Sequence, residues 1–280
     1  MAKLQVRCPT CSKNNFIEVS DDEVKKATRG LFTVNIEEGI VCEHSFVAYV
    51  DKNFVVRDTF KADFQIELPE AISEEITEVD KNISDLFEID LIKLNLTASV
   101  LGYVLRAMIY KKKIVIISDQ AYMFNQISNF FDYLTQNTFN IDLTVITEED
   151  YKSQTFGDHF AFKSRELIND FNSKIQSTKL NVEKTIIQKF LSEYDPLTSL
   201  IILKNEIKKA FELSETIKKI ISNIKKRQKI NSKKMISELE KKHDVKISIA
   251  YLDYLYEIVE NFFEIKVPRS SDISNFLSTL

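Results

Sequence analysis

Apolar and polar positions change their spacing three times along the chain. Over residues 1 to about 68 the spacing is that of strands. Leu31-Phe-Thr-Val-Asn-Ile36 reads as a strand closed by a turn at Glu37-Glu-Gly39. Ile40 to Val50 continues as a strand through Phe46-Val-Ala-Tyr-Val50, and Asp51-Lys-Asn53 turns the chain into Phe54 to Phe60. Ahead of them, Ser20-Asp-Asp-Glu23 has the composition of a helix start and predicts a short helix through Thr28.

From about residue 96 helix and strand alternate. Thr97 to Tyr110 carries Val100, Leu101, Val104, Leu105 and Met108 at helical spacing. Ile114-Val-Ile-Ile117 is a β-branched run of the kind buried on both faces of a sheet. Ser118-Asp119 is then expected to cap a helix bearing Met123, Ile127, Phe130, Phe131 and Leu134, and Phe139 to Ile146 follows as a second strand. The β-α-β part of this series implies a parallel pair. From about Glu166 the pattern is helical to the end: a long helix over Glu206 to Lys226, a short one over Ser232 to Lys242, and an aromatic one over Ile249 to Phe263.

The segment Lys61 to Lys93 interrupts this patterning. It holds ten acids (Asp63, Glu67, Glu70, Glu74, Glu75, Glu78, Asp80, Asp85, Glu88, Asp90) against Lys61, Lys81 and Lys93. It reads as an acidic connector. The expected organisation of the 280 residues is therefore α+β and multidomain: a β-rich domain over 1–68, the connector over 69–93, an α/β unit over 94–165 and a helical region over 166–280.

Composition narrows the function classes. With 44% hydrophobic and 29% charged residues the chain is too apolar for a disordered protein. Its four glycines (Gly30, Gly39, Gly102, Gly157) lie too far apart for either standard Gly-rich phosphate cradle. No apolar run approaches the roughly 20 residues of a membrane span, and Met1-Ala-Lys-Leu-Gln-Val-Arg offers no apolar signal segment. A cytoplasmic location is expected.

The three cysteines all fall in the first 42 residues, as Cys8-Pro-Thr-Cys11 and Cys42-Glu-His44, and His44 is one of only three histidines. Paired short-spaced ligands separated by strands are what a tetrahedral zinc ion needs, and the Pro inside the first pair tightens the turn that aims both thiolates at one ion. Four protein ligands leave no open position, so the expected cofactor is a structural Zn2+ rather than a catalytic one. On these residues the N-terminal region resembles the zinc-ribbon family over residues 1 to about 60. It departs from the usual pattern in the single residue between Cys42 and His44 and in Ser12, where a Gly often follows the first pair. The resemblance implies a binding or scaffolding role.

The run Val104-Leu-Arg-Ala-Met-Ile-Tyr-Lys-Lys-Lys-Ile-Val-Ile-Ile-Ser-Asp119 is similar to the core of DENN modules, regulators of small GTPases. In those modules an amphipathic helix with an Arg-Ala centre leads through a charged turn into a β-branched strand. The match spans about 50 residues (97–146) and has no catalytic signature, and the longin half of such modules has no counterpart here. The resemblance implies a small GTPase as partner.

Lys218, Lys219, Lys225, Lys226, Arg227, Lys229, Lys233 and Lys234 form a stretch without an acid, which could contact phosphates or an acidic partner. The segment after it has a helix-turn-helix outline, with His243-Asp-Val-Lys-Ile247 as an exposed turn. The segment Tyr251 to Glu264 that would be its second helix, however, carries four acids and no base, the wrong charge for a DNA groove. The net charge of −4 points the same way. No cysteine is left for a nucleophile. His159 has Ser164 nearby but no Ser elbow or paired carboxylates, so no catalytic residue is assigned. The expected function is a non-enzymatic adaptor or regulator acting through protein contacts. The alternative is a nucleic-acid-associated factor using the ribbon and the basic stretch, and a weaker one is an enzyme with a ligand at Ser118 and Asp119.

Overall fold

Two hairpins open the chain in the computed structural model, which describes residues 2–19, 31–51, 53–61, 68–69, 86–223 and 231–268. Strands β1 (Ala2–Arg7) and β2 (Asn14–Val19) pair antiparallel, and β3 (Leu31–Ile36), β4 (Phe46–Asp51) and β5 (Val56–Lys61) form a three-stranded antiparallel sheet in that order. The strand expected from Ile40 begins only at Phe46. Residues 40–45 are a loop, because the N–H of Gly39 donates to the carbonyl of Cys42 at 2.8 Å and folds the chain back before pairing resumes. The Asp51 turn forms as expected. Its buried carboxylate accepts from the N–H of Asn53 and of Val55, each at 2.9 Å, and from Arg57. The helix expected after Ser20 and most of the acidic connector lie outside the described residues.

Every residue of β4 is buried. A strand has two faces with a period of two, so the sheet must be covered on both. Phe32, Phe46, Ala48 and Val50 meet Leu4, Val6, Ile17 and Val19 of the first hairpin. Leu31, Val47, Tyr49 and Phe60 join the main core on the other side.

That main core is built on a second, mixed sheet of order β7-β6-β8-β9. Helix α1 (Ile89–Asn95) and helix α2 (Ala98–Met108) precede β6 (Lys113–Ile117), and α3 (Tyr122–Thr135) connects it to β7 (Leu143–Ile146). The expected parallel pair β6–β7 is present. Two strands were not anticipated. After α4 (Glu148–Ser153), β8 (His159–Lys163) adds parallel to the other edge of β6, and β9 (Glu166–Asn169) pairs antiparallel with β8. The region after Glu166 therefore opens with a strand, and the expected divide at 165/166 falls inside a hairpin. Conversely, Phe139 belongs to a loop rather than a strand, and its ring packs edge-on against Phe211 and Phe262.

The remaining helices are α5 (Asn181–Ser192), α6 (Pro196–Ser222), α7 (Ser232–His243) and α8 (Ile249–Asn261). Each of α2, α6, α7 and α8 starts on a side-chain cap (Thr97, Asp195, Asn231, Ser248) that meets an otherwise orphaned N–H. One hydrophobic core runs from Leu31 through α2, β6, β8 and α5 to Val267. The other face of β6 and β8, with Val115, Ile117 and Ala161, is covered by Ile146, Tyr151 and Phe156.

Asp58 ties the N-terminal sheet to this body. Its carboxylate accepts from both the N–H and the hydroxyl of Ser99 in the first turn of α2, each at 2.9 Å. Burial nonetheless raises its carboxyl above the usual range. No single helix among the described residues is long and apolar enough to cross a membrane.

Candidate metal centre

Cys8 and Cys11 sit in the turn between β1 and β2, and Cys42 and His44 in the loop between β3 and β4. The two hairpin tips meet. One ligand atom from each of the four residues lies within 4.8 Å of all the others. Zinc–sulfur bonds of about 2.3 Å put tetrahedral sulfurs about 3.8 Å apart, so a cation can be seated with small side-chain shifts. The cysteines are free thiols. The Nδ1 atom of His44 is the nitrogen that faces the Cys42 sulfur, at 3.5 Å.

Each tip is shaped by local hydrogen bonds. The N–H of Cys8 donates to the carbonyl of Lys13 at 2.9 Å, the N–H of Ser12 donates to the carbonyl of Cys8 at 3.0 Å, and the N–H of Thr10 points at the Cys8 sulfur. Burial works against ionising Cys8, but the backbone N–H groups of Cys11 and Thr10 and the neighbouring thiols hold it down to about 6. Burial pushes Cys42 up to about 11. Within the cluster Cys8 is thus the thiol more readily ionised and Cys42 the less, and a cation bound by both would favour their thiolate forms.

Ser12 occupies the left-handed region, at φ 60°, the position where glycine is commoner. An L-residue there carries a penalty of roughly 1–2 kcal/mol, partly offset by the larger chain entropy of Gly. Ser12→Gly is expected to raise the stability of the N-terminal hairpins by about 0.5–1 kcal/mol, while β-branched Ser12→Val lowers it. Thermal midpoints of the two variants check this, and a lower midpoint for Ser12→Gly contradicts it.

The other residues singled out in the sequence are not brought to one site. Lys218 lies near the end of α6 with its ammonium 4.6 Å from the centre of the Phe263 ring, and Lys219 is exposed beside it. Lys225, Lys226, Arg227 and Lys229 lie outside the described residues. Ser118 and Asp119 follow β6 but do not cap α3, whose first residue is preceded by Ala121. Asp119 instead accepts from the N–H of Glu148 at 3.1 Å, at the start of α4. Both ring nitrogens of His159 are engaged, with the Tyr151 hydroxyl at 3.0 Å and the Gly157 carbonyl at 2.8 Å. His243 is half-buried rather than in an exposed turn, and its Nε2 lies 2.9 Å from the Thr216 hydroxyl.

Two groups of residues were not flagged in the sequence as functional. Arg106 is buried between Glu183 and Glu257; a lone Arg in the apolar run Val104 to Met108 was its only signal. Tyr49, Lys93 and Arg165 line a cavity beside β6 and β8, and nothing in their spacing links them. The chain matches no protein-family model, and no curated protein matches it.

Proposed function

We propose that the protein is a non-enzymatic adaptor or regulator in which a zinc ribbon, held by a structural Zn2+ on Cys8, Cys11, Cys42 and His44, is built onto an α/β and helical body that acts through protein contacts. One observation carries this reading: four donor atoms from two hairpin tips lie within 4.8 Å of one another. Three thiols and an imidazole form a borderline-soft set that suits zinc, and four protein ligands leave no position for a catalytic water. The partner we propose is a small GTPase. It rests on the DENN-like match over 97–146, centred on the run 104–119, and is supported by the order α2, β6, α3, β7 over that span.

The test is binding of the full chain to small GTPases loaded with GDP or with a GTP analogue, read together with nucleotide release. Binding that prefers one nucleotide state is the expected result. No binding by any of them, with the metal in place, would remove the GTPase from the proposal.

No specific observation favours the nucleic-acid alternative. The second helix of the helix-turn-helix outline, α8, buries Tyr251, Leu252, Tyr254, Leu255, Tyr256, Ile258 and Val259 in the core, and Lys218 is engaged with Phe263. Retention on nucleic acid should therefore show almost no salt slope, whereas a phosphate-tracking surface gives a steep one.

A further inference from the structure

The strand order places β6 and β8 side by side with departing connections that run opposite ways: β6 leads to β7 on one side, β8 to β9 on the other. In open α/β sheets the crevice beyond the carboxyl ends of such a pair is where ligands bind, since the departing loops split apart there. Beyond Ile117 and Phe162 lies a cavity of about 370 Å³, a size within the roughly 300–1,000 Å³ of small-molecule sites. Ser118 and Asp119 after β6, Lys163 to Arg165 after β8, the start of α2 at Thr97 and Ala98, and Tyr49, Arg57 and Lys93 enclose it.

Two features of the lining call for a ligand. Tyr49 is 1% exposed, and its hydroxyl is buried with no hydrogen-bond partner among the described residues, an arrangement that folded proteins avoid unless something else supplies the partner. Positive charge also exceeds negative along the wall, with Arg57, Lys93, Lys163 and Arg165 against Asp58 and Asp119. Arg57 is paired with Asp51, and Lys163 with Glu148 and Asp119. Lys93 is 5% exposed and donates to the Glu193 carbonyl at 2.9 Å; Arg165 stands exposed at the rim. Burial pushes Lys93 down to about 8, a penalty that a bound anion relieves. The remaining wall is apolar, including Ile116, Met123, Ile127 and Phe162.

We infer that this cavity binds a small organic anion, an apolar or aromatic body bearing a single carboxylate or phosphate, with Arg165 and Lys93 drawing the anionic group and the Tyr49 hydroxyl supplying a hydrogen bond. A polyphosphate does not fit, because β6 runs into Ser118-Asp119-Gln120 instead of a glycine turn and Asp119 adds a carboxylate at that point. The site is separate from the cysteine cluster and goes beyond the adaptor reading, giving it a small-molecule input.

Calorimetric titration of the zinc-loaded full chain with benzoate, phenyl phosphate, inorganic phosphate and benzyl alcohol tests this. The aryl anions should bind with dissociation constants of about 0.1–1 mM, and both benzyl alcohol and inorganic phosphate should bind at least about tenfold more weakly. Arg165→Gln, at an exposed position that leaves the core intact, should weaken the aryl anions about fivefold to tenfold. Tyr49→Phe keeps the ring in place and should weaken them less. No binding of either aryl anion overturns the inference, and so does binding that Arg165→Gln leaves unchanged. Inorganic phosphate binding as tightly as phenyl phosphate also overturns it, since that marks an adventitious ion only.

Discussion

Purified with its metal, the chain is expected to carry about one zinc per molecule, and Cys8→Ser or Cys42→Ser to lose it together with the order of the first hairpin. The reason is the small size of what lies between the hairpins. The two six-residue strands β1 and β2 contribute four apolar side chains, Leu4, Val6, Ile17 and Val19, to the N-terminal cluster. Burying four such side chains supplies about 6–12 kcal/mol, and fixing the backbone of two such strands costs about as much or more. Structural zinc contributes about 10–16 kcal/mol when it binds at neutral pH, enough to reverse that balance. The three-stranded sheet has a second anchor, since Leu31, Val47, Tyr49 and Phe60 belong to the main core and Asp58 holds the first turn of α2.

The loss should therefore be local. Amide exchange in residues 2–19 should accelerate strongly on chelation or in either variant, while α5, α6 and α8 stay protected. His44→Ala should act in the same direction, because three ligands and a water make a weaker site. A metal-free wild-type chain whose first hairpin is as protected as its helices would dispose of the structural-zinc reading.

The cysteine and histidine spacing made this centre legible, and the strand through Phe46 to Val50 was legible too, though not that both its faces are covered. The unbroken apolar run Phe46 to Val50 is what a strand covered on both faces requires. What failed were the places where apolar residues serve a loop. Ile40 and Val41 extended the expected strand through the turn that presents Cys42, and Phe139 extended another through a loop where its ring fills a gap between Phe211 and Phe262. The pair β8–β9 was missed for the opposite reason: Glu166–Asn169 is a short edge strand of alternating exposed and half-buried positions, too weak a pattern against the helical signal that follows. Of the cavity only Ser118 and Asp119, at the end of the expected strand Ile114 to Ile117, stood out in the sequence; the rest of its wall comes from β3 to β5, α1 to α3 and the end of β8, which only the fold brings together.

A second large effect is expected at Arg106. This residue is 3% exposed, its Nε lies 2.5 Å from a Glu183 carboxylate that is 0% exposed, its guanidinium also meets Glu257, and it stands over the Tyr254 ring. The three elements joined are α2, α5 and α8. Arg106→Met should cost about 3–5 kcal/mol, because it leaves the Glu183 charge buried without its partner. Glu183→Gln should cost less, about 1–3 kcal/mol, since it leaves no buried charge unpaired and Glu257 still meets the guanidinium. The double variant Arg106→Met with Glu183→Leu removes both charges and should recover much of the loss, as replacing a buried pair by packed apolar groups often does. Urea midpoints of the four proteins test this order, and an Arg106→Met variant within about 1 kcal/mol of wild type would contradict the argument.

The pair also bears on organisation and on function. It crosses residue 165, where the sequence suggested a divide, so the α/β unit and the helices beyond it should lose structure in one transition in Arg106→Met. The Arg-Ala centre of the DENN-like run is, in this chain, spent on holding three helices together. On the proposed GTPase reading, Arg106 is therefore not a contact residue, and Arg106 variants that remain folded should bind the GTPase as the wild type does.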